Sequence, residues 1–269
     1  MTTEHQRITG STRLFAVIGD PVEQVQAPTM MNPLFARLGI DAVLVPVHAT
    51  PAGLTSVVRG LRSSGNVDGL LVTVPHKRAV LDLADEVSAA AALSNGANAM
   101  RRTPDGRWRA DNFDGEGFVR GLRSAGHDPE GRHVWLVGAG GAGSAIAVSL
   151  LSAGAEVTVT DRDERRVHTL AERLSPHFPG RFHSAAGPVA ADLAVNATPL
   201  GMRPEDPLPF EPALLPRGTV VVDIVMKPRR TALLRTAEKR GLPVHYGAPM
   251  LAHQLDLYVD FFDLGRPLA

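Results

Sequence analysis

A glycine-rich turn, Gly138-Ala139-Gly140-Gly141-Ala142-Gly143, carries the most definite chemistry in this 269-residue chain. Gly138, Gly140 and Gly143 have the G-x-G-x-x-G spacing. The apolar run Val134-Trp135-Leu136-Val137 comes before the turn, and an Ala-rich apolar segment from Ile146 to Leu151 comes after it. Strand, glycine turn and helix in that order suit a dinucleotide. The missing side chains let the backbone approach a pyrophosphate, and the helix N-terminus offers N–H donors and a positive dipole end. A second strand, Glu156 to Thr160, ends at Asp161. An acidic residue roughly 20 residues past the glycines is placed to accept a hydrogen bond from a ribose 2′-hydroxyl. Glycines alone would also suit a tight turn in any α/β fold; the four pieces in order are what point to a dinucleotide.

The elements that must position this turn read as alternating strands and helices. Residues 14–18, 43–47 and 69–74 are apolar strands, the last unbroken with Thr73 inside it, as buried parallel strands read. Thr50-Pro51 reads as a helix start, with Leu54, Val57, Val58 and Leu61 on one face and Gly65 as the stop. Residues 79–93 have the spacing of an amphipathic helix, and residues 103–107 that of a hairpin loop. A helix begins at Asp114. Beyond the glycine turn, residues 165–174, 231–240 and 248–262 are helices, whereas 193–195 and 219–225 are strands. Pro28 suits a helix start, but Pro33 then falls in the second turn, where it removes a hydrogen bond. The expected fold is α/β: an N-terminal substrate domain over residues 1–112, completed by a C-terminal helix over 248–269, plus a Rossmann-type doubly wound dinucleotide domain over 113–247, with a cleft between them.

Composition removes several classes of function. Formal net charge is zero and aromatic residues make up 5%, which gives no electrostatic or stacking basis for binding nucleic acid. No apolar run reaches membrane-spanning length, and Met1-Thr2-Thr3-Glu4-His5 has no apolar leader core. The chain has no cysteine, hence no disulfide, thiolate metal site or cysteine nucleophile. No His/Asp/Glu cluster has metal-ligand spacing, and His245 and His253 read as structural or cleft-lining. A cytoplasmic protein, monomer or homodimer, acting on a small molecule is expected.

Several stretches together resemble the shikimate dehydrogenase family. They are Gly19-Asp20-Pro21, Val72-Thr73-Val74-Pro75-His76-Lys77, Gly96-Ala97-Asn98, Asp111-Asn112-Phe113-Asp114-Gly115, Asn196-Ala197-Thr198-Pro199-Leu200-Gly201-Met202, Val222-Asp223-Ile224, and Met250-Leu251 followed by Gln254. They run through the chain in the family's order. The resemblance implies hydride exchange between a nicotinamide and a cyclohexene hydroxy acid or its 3-dehydro form. It puts the family's catalytic lysine on Lys77 and its aspartate on Asp114. Alcohol oxidation needs a group to take the hydroxyl proton while hydride leaves, which supports the pair on chemical grounds. By the same carry-over Thr73, Asn98 and Gln254 hydrogen-bond ring hydroxyls, and Thr198, Ile224 and Gly247 join the cofactor site.

The departures from the family pattern lie at two places. Its two carboxylate-binding serines are Val25 and Ala27 here, and a carboxylate-binding tyrosine is Met226. Leu71 stands where the family has asparagine, and Phe113 where it has threonine. Either Gln24 or Gln26 supplies replacement donors, or the substrate carries a less acidic group at that end. NADP-linked members commonly have Asn-Arg-Thr after the second strand, where this chain has Asp161-Arg162-Asp163. A carboxylate at Asp161 repels a 2′-phosphate, while Arg162 attracts it. The expectation is an NAD-preferring dehydrogenase, NADP being disfavoured, for shikimate, quinate or a related alicyclic hydroxy acid. A nicotinamide-binding sensor with little turnover is the alternative.

Overall fold

The computed structural model describes residues 8–265, so Met1–His5 and the end of the expected last helix lie outside the described residues. The chain divides into two units. One takes the chain up to Ala92, Gly96–Asn112 and the end from Leu255; the other takes Leu93–Asn95 and Phe113–Gln254. The second division falls between Gln254 and Leu255, inside the last helix and later than the expected split at residue 248.

The first unit is built from β1 (Arg13–Gly19), α1 (Ala27–Leu38), β2 (Ala42–His48), α2 (Leu54–Ser63), β3 (Val67–Val72), β4 (Glu86–Val87), α3 (Ala89–Ser94), β5 (Ala99–Arg102) and β6 (Trp108–Asp111). The sheet order is β2-β1-β3-β5-β6-β4. The pairs β1–β2 and β1–β3 are parallel; β5 and β6 form an antiparallel hairpin beside β3. The central strands are apolar on both faces because both are covered. Ala16, Ile18, Leu70 and Val72 pack with Leu54 and Val58 of α2. Phe15, on the opposite face, meets Phe35 of α1 and Phe262, with ring centroids 5.4 and 5.1 Å away.

The second unit contains α4 (Asp114–Ser124), β7 (His133–Val137), α5 (Gly141–Ser152), β8 (Glu156–Thr160), α6 (Glu164–Leu174), β9 (Phe182–Ser184), β10 (Leu193–Asn196), β11 (Val220–Asp223), α7 (Ala232–Lys239), β12 (Val244–His245) and the start of α8 (Ala248–Phe261). Its sheet is parallel throughout, in the order β12-β11-β10-β7-β8-β9. This is the doubly wound order, with its reversal between β7 and β10. Alternate residues serve the two faces: Val134, Leu136 and Val222 on one, Trp135, Val137 and Val221 on the other. Helix α5 is apolar nearly all round because the sheet covers one side and α4 the other. Gly115 makes that packing possible, since a Cβ there would lie 2.1 Å from the Ala145 carbonyl oxygen.

Several expected elements differ. Residues 79–93 are not one helix; they form a short 3₁₀ turn (Ala79–Leu83), then β4, then α3. Backbone pairing with β6 pulls the chain out: Asp85 N–H donates to Trp108 O at 2.8 Å and Ser88 N–H to Ala110 O at 3.0 Å. Tertiary pairing overrides local periodicity here. Helix α2 starts at Leu54, after a turn closed by Thr50, whose carbonyl accepts from Gly53 and Leu54. Strand β3 ends at Val72, so Thr73 is the first residue of the following turn. Helix α1 runs through Pro33, which sits on its exposed side. Next to it, Asn32 holds the helix to β2, accepting from Leu44 N–H at 2.7 Å and donating to Leu44 O at 3.0 Å. Among the described residues no helix is long and apolar enough to cross a membrane.

Candidate functional site

In the second unit the glycine turn closes β7 at the sheet's reversal. Gly138 has φ +111°, and a Cβ there would lie 2.9 Å from the Ala197 carbonyl. A Cβ on Gly143 would lie 1.9 Å from Gly138 O. Both positions exclude any larger residue. A Cβ on Gly140 would meet nothing within 4 Å, so this glycine leaves space open at the start of α5. No side chain caps α5, whereas Asp163 caps α6 and Thr231 caps α7. The first N–H groups of α5 are thus a donor set for an anion.

Asp161 is built into this turn. Its carboxylate accepts from Ala139 N–H at 2.7 Å and from Asp163 N–H at 2.9 Å. It braces the glycine turn and keeps lone pairs for a hydroxyl. Arg165 and Arg166 pair with Asp163 at 3.0 and 3.8 Å. Arg162 is exposed and makes no ion pair among the described residues. Across the reversal, Thr198 lies against Gly138, its Cγ2 3.0 Å from the Cβ position. The Thr198 hydroxyl donates to Asn196 Oδ1 at 2.7 Å. Gly247 abuts Ile224: a Cβ would sit 2.5 Å from Ile224 O. The turn residues, Asp161 and Thr198 are therefore brought together at one sheet edge, and Ile224 with Gly247 at β11 and just after β12.

Asp114 opens α4 and is 5% exposed. A carboxylate suits that first turn because the helix N-terminus is positive. Gln254 Nε2 donates to Asp114 Oδ1 at 3.2 Å, and Gln254 is 4% exposed. Gly117 allows the approach, since a Cβ there would lie 2.7 Å from Gln254 Cγ. His245 is buried, its ring 6.0 Å from that of His127, and burial with His127 lowers its pKa to about 4. His253 Nε2 lies 3.1 Å from Ser124 Oγ. Among the described residues no group of three or more His, Asp or Glu is placed to hold a metal.

In the first unit Lys77 lies on the turn after β3. That turn is held from three sides. Thr73 N–H donates to Ile18 O at 2.9 Å, and Asp20 N–H to Val74 O at 3.0 Å. His76, 1% exposed, donates from Nε2 to Ala49 O at 2.6 Å. Ala97 N–H donates to Lys77 O at 2.8 Å, next to Gly96, where a Cβ would sit 3.5 Å from Lys77 Cβ. Gly19 is required as well, because a Cβ would lie 2.6 Å from Thr73 Cγ2. Lys77 is half-buried. Asn98 is buried and donates to the Tyr258 hydroxyl at 3.1 Å. Thr73 and Lys77 thus follow the carboxyl end of β3, and Asn98 lies beside it at the amino end of the antiparallel β5.

Gln24 is exposed and its amide donates to Pro21 O at 2.9 Å; that of Gln26 donates to Gln24 O at 2.9 Å. Both amides fold back on their own turn, while Val25 and Ala27 are half-buried and Met226 is exposed. The sequence reading missed the His76 anchor, the Asp20–His48 pair at 2.9 Å, and the Asn196–Asp223–Thr231 network. Polar residues closing apolar strands, Asn196 after Leu193-Ala194-Val195 and Asp223 after Val220-Val221-Val222, were the available signal.

Known proteins resemble this chain over most of its length. Residues 17–100 match the family described as shikimate dehydrogenase substrate binding domain. Shikimate dehydrogenase (NADP(+)) of Rubrobacter xylanophilus is 43% identical over 258 residues, covering 92% of this chain and 89% of that protein. The crystal structure of shikimate dehydrogenase from Aquifex aeolicus superposes with a TM-score of 0.87 at 29% identity, covering 97% of this chain and 96% of that one. The ligand-free 5-ketofructose reductase of a Gluconobacter strain gives 0.85 at 29% identity, with the same coverage of each chain. Glycine turn, reversed parallel sheet and lysine-bearing turn occur in a chain alike over almost its whole length to such a relative, and the chain belongs to the shikimate dehydrogenase family.

Proposed function

We propose that this nicotinamide-dependent oxidoreductase interconverts a secondary alcohol and its ketone on a polyhydroxylated small molecule of the shikimate or quinate kind, with NAD as preferred cofactor. The carrying observation is the uncapped start of α5 beside the open Gly140 position, which suits a pyrophosphate. A bound nicotinamide would supply the hydride acceptor and donor. Gly138 to Ala142 would hold the pyrophosphate, Asp161 the adenosine ribose, and Thr198, Ile224 and Gly247 the nicotinamide end. Lys77 takes the hydroxyl proton as hydride departs and returns it in the reverse direction. Asp114 holds the reacting end of the substrate, with Gln254 fixing its carboxylate. Thr73 and Asn98 are the proposed partners of the other hydroxyls, and Gln24 the proposed replacement donor at the carboxylate end.

The Asp161 carboxylate supports NAD over NADP, since it lies at the strand end and repels a 2′-phosphate. The relatives named NADP(+)-dependent make this the point to measure. Initial rates of cofactor reduction with shikimate and with quinate, each with NAD and NADP, test the whole reading. Turnover of either acid with a higher kcat/KM for NAD is expected. Cofactor binding without turnover of any polyhydroxylated alcohol would leave a sensor instead of an enzyme.

A further inference from the structure

Asp223 closes β11 and is fully buried, with 0% exposure. Its Oδ2 accepts from Thr231 Oγ1 at 2.7 Å. Its Oδ1 accepts from Asn196 Nδ2 and from Val225 N–H, each at 3.0 Å. The orientations are fixed from outside. Asn196 Oδ1 receives Thr198 N–H at 3.0 Å, so its amide nitrogen faces Asp223. Thr231 Oγ1 receives Leu234 N–H at 3.3 Å as the cap of α7 and gives its own proton to the carboxylate. All three partners donate to the carboxylate, and of them only the Thr231 hydroxyl could also accept. Burial raises the pKa of this group and the three hydrogen bonds oppose that rise. No cation is paired with it among the described residues. The arrangement fits a buried carboxylate solvated only by neutral donors.

Its position gives that charge a use. In a doubly wound sheet the two halves each take one nucleotide. The glycine turn and Asp161 mark β7 and β8 as the adenosine half, so β10 to β12 form the nicotinamide half. The network ties together both loops leaving that half. Asn196 fixes Thr198 and also donates to Leu200 O at 3.0 Å; Asp223 fixes Val225, next to Ile224. An oxidised nicotinamide ring carries a positive charge and a reduced ring carries none. A buried negative charge is poorly screened and acts at longer range than an exposed one.

We propose that Asp223 is a positioning residue that joins the loops after β10 and β11, and that its charge favours the oxidised, cationic cofactor over the reduced, neutral one. The proposal rests on the nicotinamide reading above. The test is calorimetric titration of the full chain with NAD+ and NADH, and with the NADP pair in parallel. Asp223→Asn keeps the shape and removes the charge. Its oxidised-form Kd should rise about three- to tenfold relative to its reduced-form Kd, the scale of losing one partly screened unit charge. A purely structural role would weaken both forms equally, and an unchanged ratio overturns the proposal. Should Asp223→Asn not fold, Thr231→Val removes the Oδ2 donor and destabilises the charge. The ratio should then move in the same direction, while Thr231→Ser keeps the donor and the parent ratio; no movement in Thr231→Val overturns the proposal as well. If the parent binds neither cofactor pair, the nicotinamide reading itself fails and this inference falls with it.

Discussion

The turn after β7 and the turn after β3 both close a central parallel strand, yet they are built in opposite ways. The first is made by leaving side chains out: Gly138 and Gly143 cannot carry a Cβ, and Gly140 leaves open space. The second is held by distant groups: Ile18 O, Ala49 O, and Ala97 with Gly96. A backbone cradle depends on side chains being left out, so its glycines sit together in the sequence even where the contact they allow, as of Gly138 with Ala197, is distant. A turn presenting one lysine depends on where remote chain segments arrive.

Removing the lysine should separate the two turns most sharply. Lys77→Ala is expected to lower kcat by at least about 100-fold, the lower bound of general acid–base catalysis. NAD affinity, measured by fluorescence titration, should stay within twofold or so because no pyrophosphate contact is lost. A variant that retains near-parental turnover would remove Lys77 from the chemistry.

Glycine substitutions probe the other turn and distinguish its two kinds of glycine. Gly143→Ala places a Cβ 1.9 Å from Gly138 O, so the turn must shift and thermal stability should fall with cofactor binding. Gly140→Ala meets no protein atom within 4 Å and needs no unusual φ, so the melting temperature should hold. Cofactor affinity should still drop roughly 10- to 100-fold, the equivalent of one lost charge-assisted hydrogen bond. Gly140→Ala protein with normal melting and normal NAD binding would mean that the open space does not receive the pyrophosphate.

A smaller effect is expected at the anchor of the lysine turn. His76→Phe leaves the Ala49 carbonyl, in a residue 3% exposed, without its donor. An unsatisfied buried acceptor costs about 1–3 kcal/mol, and the turn relaxes to relieve it. Turnover should fall around tenfold with cofactor Kd unchanged, because the displaced group is Lys77. Unaltered kcat in a folded His76→Phe protein would show that the turn holds its shape through the backbone alone, like its counterpart.

The same contrast governs what could be read from the sequence. Strands β7, β8 and β11 and the glycine turn stand out because apolar runs and missing side chains are local signals. The stretch after Lys77 reads as a helix because its spacing is helical, yet Trp108 and Ala110, distant in sequence, draw it into strand pairing. The Asp161 spacing points to a ribose, whereas its bracing of Ala139 depends on how closely two neighbouring strand ends meet. His76, Asn196 and Asp223 are ordinary polar letters until the fold buries them and supplies their partners.

The smallest expected effect falls on cofactor choice, where the two influences at one strand end oppose each other. Asp161 carries its charge within the turn that would face the adenosine ribose, while Arg162 is exposed beside it. Two unit charges about 5 Å apart in water repel by roughly 1 kcal/mol, so Asp161→Asn should improve kcat/KM for NADP about fivefold. NAD should lose a little, because an amide oxygen accepts more weakly from a 2′-hydroxyl than a carboxylate does, and NADP has no such hydroxyl to lose. The two changes act in the same direction on the NAD/NADP ratio, so the ratio is a more sensitive measure than either rate. Arg162→Ala should move the ratio the other way by weakening NADP alone. If the parent protein already prefers NADP and Arg162→Ala abolishes that preference, the arginine dominates this strand end, and Asp161 serves the glycine turn only.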